Sequence, residues 1–203
     1  MSQTAKRLVV GISGASGVIY GIRLLEVLRS QRAGVETHLV MSSAARQTVL
    51  LETDYTVEAV EALAGVNYRI NDIAAAISSG SFKTAGMVVI PCSMKTLSGI
   101  ALSFSDNLLL RAADVTLKDR RRLVLAPRES PLHLGHLRMM TQVTEMGAVL
   151  APPMPAFYHR PRTLDEIINQ TVNRVLDLLE IDLPADLFER WTGPRYQPQK
   201  RDG

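Results

Sequence analysis

Apolar residues along the chain fall into short continuous runs, separated by stretches where they recur every three or four positions. The runs "RLVVGI" (7–12), "VETHLVM" (35–41), "GMVVIPC" (86–92), "RRLVLAP" (121–127) and "AVLAP" (148–152) read as strands. Their continuity, in place of strict alternation, points to strands buried on both faces. The stretches 18–29, 43–53, 96–102, 107–118, 134–147 and 163–180 have the spacing of amphipathic helices, with Gly147 as a stop. Residues 54–82 form a less regular excursion, part helical, ending in the flexible "SSGSF". A Pro-rich loop, "PPMPAFYHRP", precedes the last helix. Alternating strands and helices of this kind predict the α/β class: a parallel sheet with helices on both faces, built from right-handed crossovers. No internal repeat or interdomain linker interrupts it.

Composition narrows the classes. At 203 residues and 46% hydrophobic, the chain is globular, with a core of ordinary size. No apolar run approaches the ~20 residues needed to cross a bilayer, so no membrane partner is expected. "MSQTAKR" leads straight into the first strand without the apolar region of a signal peptide. The single cysteine, Cys92, excludes an intramolecular disulfide and a Cys-rich zinc site, and favours a reducing, cytoplasmic setting. Net charge is only +3, although the pI is 9.2. Nucleic-acid binding would need a longer basic stripe interleaved with exposed aromatics, and aromatics are only 5%. Scattered arginines, as in "KDRRR" (118–122), suit small phosphorylated ligands instead.

In parallel sheets ligands bind at the carboxyl ends of the strands, so the residues just after 12, 41, 91, 127 and 151 matter most. After the first strand comes "GISGASG" (11–17). Glycines there let the backbone approach an anion, and the following helix offers free N–H groups. The spacing is not the dinucleotide Gly-x-Gly-x-x-Gly, and no Gly-Lys-Ser/Thr follows as in a P-loop. The second strand ends in Met41-Ser42-Ser43 without the ribose-binding acid of an NAD site, since Glu36 lies at its wrong end. A mononucleotide phosphate or flavin chain, with Ser16 and Ser42 as donors, fits better; a plain helix-packing turn is the alternative. At the third end, Ser93 and Thr96 either cap the next helix or hold a second part of the ligand. Cys92 reads as a small buried residue, because no histidine sits at a nucleophile's spacing. At the fourth, Arg128 and Glu129 stand between Pro127 and Pro131. They form either a surface ion pair or a cofactor contact and a proton carrier, the latter requiring partial burial of Glu129. Tyr158, on the loop after the fifth strand, is either packing or a ligand contact. Arg111 and Lys118, seven apart, share a helix face that is either solvated or ligand-facing. His133 and His136 lack an evident third ligand, so no metal is expected.

Together, "GASG", "MSSAARQTVLLET", "PCSMKTLSG", "RAADVTLK", "APRE" and "PAFYHRP" resemble the UbiX-like flavin prenyltransferases from about Arg7 to Trp191. The resemblance implies a three-layer flavodoxin-like or Rossmann-like fold, with a single flavin-binding domain over 1–191 and a flexible tail over 192–203. It also implies FMN and a homododecamer. Enzymes of that family attach a dimethylallyl group from dimethylallyl phosphate to reduced FMN at N5, then close a fourth ring at C6. The prenylated FMN serves UbiD-type decarboxylases, as in ubiquinone biosynthesis or aromatic-acid breakdown. Carried across by position, Gly14, Ala15, Ser16, Ser42, Ser93, Met94, Lys95, Thr96 and Arg128 would hold FMN. Arg111, Lys118, Tyr158 and Arg174 would grip the dimethylallyl phosphate, some from a neighbouring subunit, and Trp191 would close the prenyl pocket. Glu129 would shuttle the proton, with Ser16 and Glu52 nearby. The chain departs from many members at Arg138 and Met139, which receive no role.

The implied chemistry suits these residues. Cleaving an allylic C–O bond releases phosphate, which fixed cations and a proton donor stabilise. No Asp-rich magnesium motif occurs, so Lys and Arg would stand in for the ion. Two rivals keep the flavin: an FMN-dependent decarboxylase of the same broad fold, and a non-catalytic flavin carrier. A third, adenylate or dinucleotide binding, replaces it.

Overall fold

A computed structural model describes residues 6–31 and 33–193. The last ten positions of the expected tail, and the first five of the expected leaderless N-terminus, lie outside the described residues. Six described strands form one sheet: β1 (Lys6–Ile12), β2 (Val35–Met41), β3 (Val66–Tyr68), β4 (Gly86–Cys92), β5 (Arg122–Pro127) and β6 (Val149–Leu150). Seven described α-helices accompany them: α1 (Val18–Ser30), α2 (Ser43–Glu52), α3 (Val57–Glu61), α4 (Met94–Ala101), α5 (Leu108–Lys118), α6 (Leu134–Glu145) and α7 (Leu164–Leu178). Every pairing is parallel, in the order β3-β2-β1-β4-β5-β6. The connections leave β1 outward through β2 and then reverse through β4. The carboxyl ends of β1 and β4 therefore flank a topological switch point, where such sheets open a crevice.

Side chains alternate across the sheet with period two. Leu8, Val10, Ile12, Val88, Ile90, Val124 and Ala126 face one helical layer with buried residues of α1 and α7. Val9, Met87, Val89, Leu123 and Leu125 face the other, with α4 and α5. Among the described residues no helix is long and apolar enough to cross a membrane.

Two expectations from sequence need correction. The sheet has six strands because β3 lies inside the excursion expected to be irregular. Three residues, Val-Asn-Tyr, are too short to show a period, and pairing with His38–Val40 makes them a strand. Nor is "SSGSF" loose. Arg111 donates to the Ser78 carbonyl at 3.1 Å and Arg121 to the Phe82 carbonyl at 2.9 Å, so two guanidinium groups clamp its backbone.

Beside β3, His38 is only 2% exposed. Its Nδ1 pairs with the Tyr68 hydroxyl at 2.9 Å, and its Nε2 has no hydrogen-bond partner, with Glu36 at 3.7 Å. Burial pushes its pKa below the ordinary histidine value; Glu36 opposes this and Arg7 adds to it. The unfolded chain thus binds a proton below pH 6.5 that the folded chain resists. Stability from the neutral ring is complete above that value and is lost as pH falls toward the depressed folded pKa. We expect the melting temperature to fall between about pH 7 and pH 5, with His38→Gln making that slope shallower. Parallel slopes for the two proteins would contradict the assignment.

Candidate active site

The sheet's carboxyl edge is assembled around Ser13, which is fully buried. Its Oγ donates to the Pro91 carbonyl at 3.1 Å and accepts the Ser93 N–H at 2.7 Å, pinning the end of β1 to the end of β4. Sequence reading passed over it; its place directly before Gly14 at a strand end is the signal that could have found it. At Gly14 a Cβ would lie 2.3 Å from the Ala44 Cβ, so only glycine lets the turn lie against the first turn of α2. Gly17 is left-handed at φ 96° and gives its N–H to Glu52 at 2.8 Å. Glu52 is thereby brought from the far end of α2 to the turn bearing Ser16, which is exposed.

Three helices, α1, α2 and α4, begin at this edge. Their first-turn N–H groups have no partner within the helix, and their dipoles favour an anion. Ser42 caps α2 by accepting from Ala45 N at 3.0 Å. Ser93 caps α4 by accepting from Thr96 N at 3.3 Å and donates to Thr96 Oγ1 at 3.1 Å. Ser93 thus serves the capping role weighed against ligand contact, and Ser42, expected only as a ligand donor, is a cap as well. The Ser93 cap also fixes the helix end at which Met94 and Lys95 stand, while Ala15 lies in the glycine turn with its N–H on the Ser13 carbonyl at 2.9 Å. Cys92 is fully buried, and burial pushes its thiol up, out of nucleophilic range.

Arg128 and Glu129 follow β5 on the same edge. Both are exposed, and among the described residues they form no ion pair. Glu129 accepts only the Ser130 N–H, at 3.0 Å. The partial burial expected of Glu129 is absent here: residues 128–132 are exposed, and no described segment of the chain covers them. His133 accepts from Gly135 N at 3.0 Å and stacks on His136 with 3.5 Å between centroids. Among the described residues no group of three or more His, Cys, Asp or Glu is placed to hold a metal ion.

A second constellation follows β6. Tyr158, Arg160, Arg190 and Trp191 line a cavity of about 380 Å³. The Tyr158 ring meets Trp191 edge-on at 6.1 Å and Phe188 at 6.4 Å, and its hydroxyl accepts from Gln170 Nε2 at 3.3 Å. Arg174 joins through Asp177, which accepts from it at 2.8 Å and from Arg190 at 2.9 Å. Tyr158 and Trp191 are therefore in contact, and Arg174 is linked to them through Asp177 and Arg190. Phe188 and Arg190 belong with them and carried no sequence signal beyond proximity to Trp191.

Arg111 and Lys118 are not brought to either constellation. Arg111 pairs with Asp114 at 2.7 Å and Lys118 with Asp119 at 2.8 Å. Lys118 ends α5 just before Arg122, which opens β5 opposite Gly86 at the amino edge of the sheet. A strand of six residues separates that edge from Glu129 by roughly 20 Å. Within one chain Lys118 and the glycine turn cannot act on one ligand, whereas Arg111 lies near the start of α5, where the Leu108 N–H bonds the Ile70 carbonyl beyond the carboxyl end of β3.

The profile of the Flavoprotein family matches residues 1–176. The flavin prenyltransferase UbiX of Escherichia coli K12 is 68% identical over 188 residues, covering 93% of this chain and 99% of that protein. The crystal structure of AnUbiX (PadA1) with FMN and dimethylallyl pyrophosphate superposes with a TM-score of 0.88 at 52% identity, covering 93% of this chain and 98% of that one. The dodecameric FMN-dependent UbiX-like decarboxylase from Escherichia coli O157:H7 superposes with a TM-score of 0.87 at 50% identity, covering 93% and 100%.

Proposed function

The chain belongs to the Flavoprotein family and, within it, to the UbiX-like flavin prenyltransferases, and on that premise we propose that it prenylates FMN without a metal. The observation that carries this reading is the crevice between β1 and β4: three helix N-termini converge there on a turn too tight for any side chain at Gly14. Such a cradle fits the phosphate tail of FMN.

Reduced FMN supplies the nucleophilic N5 that takes the dimethylallyl group and the C6 at which the fourth ring closes. The chain's residues do the rest. Gly14, Ala15, Ser16, Ser42, the Ser93–Thr96 turn and Arg128 bind and orient the flavin. Tyr158 and Arg174 hold the phosphate of dimethylallyl phosphate, and Trp191 excludes water from the prenyl chain. Arg111 and Lys118 reach that phosphate from a neighbouring copy, a reading supported by the place of Lys118 at the amino edge of its own chain. The same copy would cover residues 128–132 and give Glu129 the shelter a proton carrier needs. Ser16 and Glu52 stand beside that proton path. Fixed cations around a departing phosphate supply the stabilisation a magnesium ion would otherwise give. A homododecamer, a UbiD-type decarboxylase as recipient of the product and a cytoplasmic location complete the reading.

A decarboxylase reading has the name of the Escherichia coli O157:H7 structure in its favour. Decarboxylation needs the flavin cradle but gives no purpose to a second anion pocket. The test is anaerobic: reduced FMN and dimethylallyl phosphate, no added metal, then mass spectrometry of the flavin. We expect a gain of one five-carbon unit. An unchanged flavin beside active controls would refute the proposal.

A further inference from the structure

After α7 the chain runs without regular structure from about residue 182 to 193 and carries Trp191 to the cavity and Phe188 to the Tyr158 ring. This strap is fastened at two places. Buried Asn173 accepts the Leu187 N–H at 2.8 Å. Arg190 then grips two carboxylates at once: Asp177 at 2.9 and 2.8 Å, and Asp186 at 2.6 Å through both Nε and Nη2. Forked pairs of this kind are the strongest and most directional of protein ion pairs.

Asp177 is shared. The Oδ2 atom that takes Arg190 also takes Arg174 Nη1 at 2.8 Å, and Asp177 is 22% exposed against 51% for the Arg174 side chain. Burial pushes the Asp177 carboxyl up, but the bonds and charges of Arg190, then of Arg174, hold it below the usual carboxylate range. It therefore stays ionised and needs at least one cation. With Arg190 in place, Arg174 can leave Asp177 without stranding the carboxylate. Without Arg190, Asp177 keeps the Asn173 amide at 3.4 Å and has Arg174 as its remaining cation, so the carboxylate competes with any phosphate for that guanidinium.

We propose that Arg190 is a positioning residue for the prenyl-phosphate pocket: by satisfying Asp177 it frees Arg174 for the ligand's phosphate, and by the same clamp it holds Trp191 against Tyr158. The inference rests on the reading of Arg174 as a phosphate contact. It couples two events through one carboxylate, since anion capture by Arg174 leaves Asp177 to Arg190 alone and tightens the strap.

The chain's single tryptophan is Trp191, so its emission reports the strap directly. Full-length wild type, Arg190→Gln, Arg190→Lys and Asp186→Asn are compared in steady-state turnover with reduced FMN and varied dimethylallyl phosphate. Emission is also titrated with inorganic phosphate alone, without turnover. We expect Arg190→Gln to raise KM for dimethylallyl phosphate about tenfold or more, while kcat and FMN affinity stay within about twofold. Its emission should be red-shifted and its phosphate titration weakened. Arg190→Lys should recover part of the KM loss, and Asp186→Asn, which keeps the Asp177 contact, should remain near wild type. Unchanged KM in Arg190→Gln overturns the proposal. So does an equal KM rise in Asp186→Asn, or a parallel fall of kcat, FMN affinity and melting temperature. Should Arg190→Gln not fold, the lysine and Asp186 variants decide by the same comparison. A wild type that leaves flavin unmodified refutes the proposed function instead, and the phosphate titrations still test the clamp.

Discussion

Glu129→Gln should leave FMN bound with near-native affinity and slow flavin prenylation by about 10²–10⁴-fold, the usual contribution of a positioned acid or base. The separation follows from the structure. Glu129 follows β5 and makes one contact, with its neighbour's N–H, which a glutamine oxygen can also accept. The cradle between β1 and β4 is built through Ser13, Gly14 and the caps Ser42 and Ser93, none of which touches Glu129. The substitution removes a titratable proton site and preserves shape. FMN affinity by fluorescence and single-turnover prenylation under anaerobic conditions check it. A loss of FMN binding proportionate to the loss of rate would place Glu129 in the cradle and remove it from proton transfer.

Subunits bearing Glu129→Gln and subunits bearing Lys118→Ala, each inactive alone, should regain activity when co-expressed. If Lys118 serves its own chain, every mixed site lacks one of the two groups. If it serves a neighbour, random assembly puts intact Glu129 and intact Lys118 together in about a quarter of the sites. The roughly 20 Å of strand between the two edges of the sheet makes the second outcome the expected one. Differently tagged copies purified through both tags provide the sample, and prenylated flavin per oligomer is the readout. A mixture as inactive as its components would show that the site closes within a single chain.

Much of the fold was legible because its strands are buried on both faces. Continuous runs such as "RLVVGI" and "GMVVIPC" admit few other readings, and β1, β2 and β4 lie where the pattern places them. Helix starts were less exact. The reading of 96–102 begins two residues after α4, because Ser93 caps a turn whose first residues, Met94 and Lys95, carry no periodic signal. β3 was invisible for a different reason: its identity as a strand comes from its partner in β2. At the site, strand ends located the glycine turn and the Arg128–Glu129 step by topology alone. The strap could not be read, since Asn173, Asp177, Asp186 and Arg190 are ordinary surface residue types until folding joins them. Nor could the position of Lys118 at the amino edge be read, because helical spacing gives the face a residue occupies but not which end of the sheet it serves.

The contact between Gly14 and Ala44 leaves no space for a methyl group, so the loop after β1 and the start of α2 behave as one solid piece. Folding therefore finishes the shape of this anion seat before any nucleotide arrives, and capture incurs little further ordering. A seat made this way should keep its shape whether a flavin is bound or not.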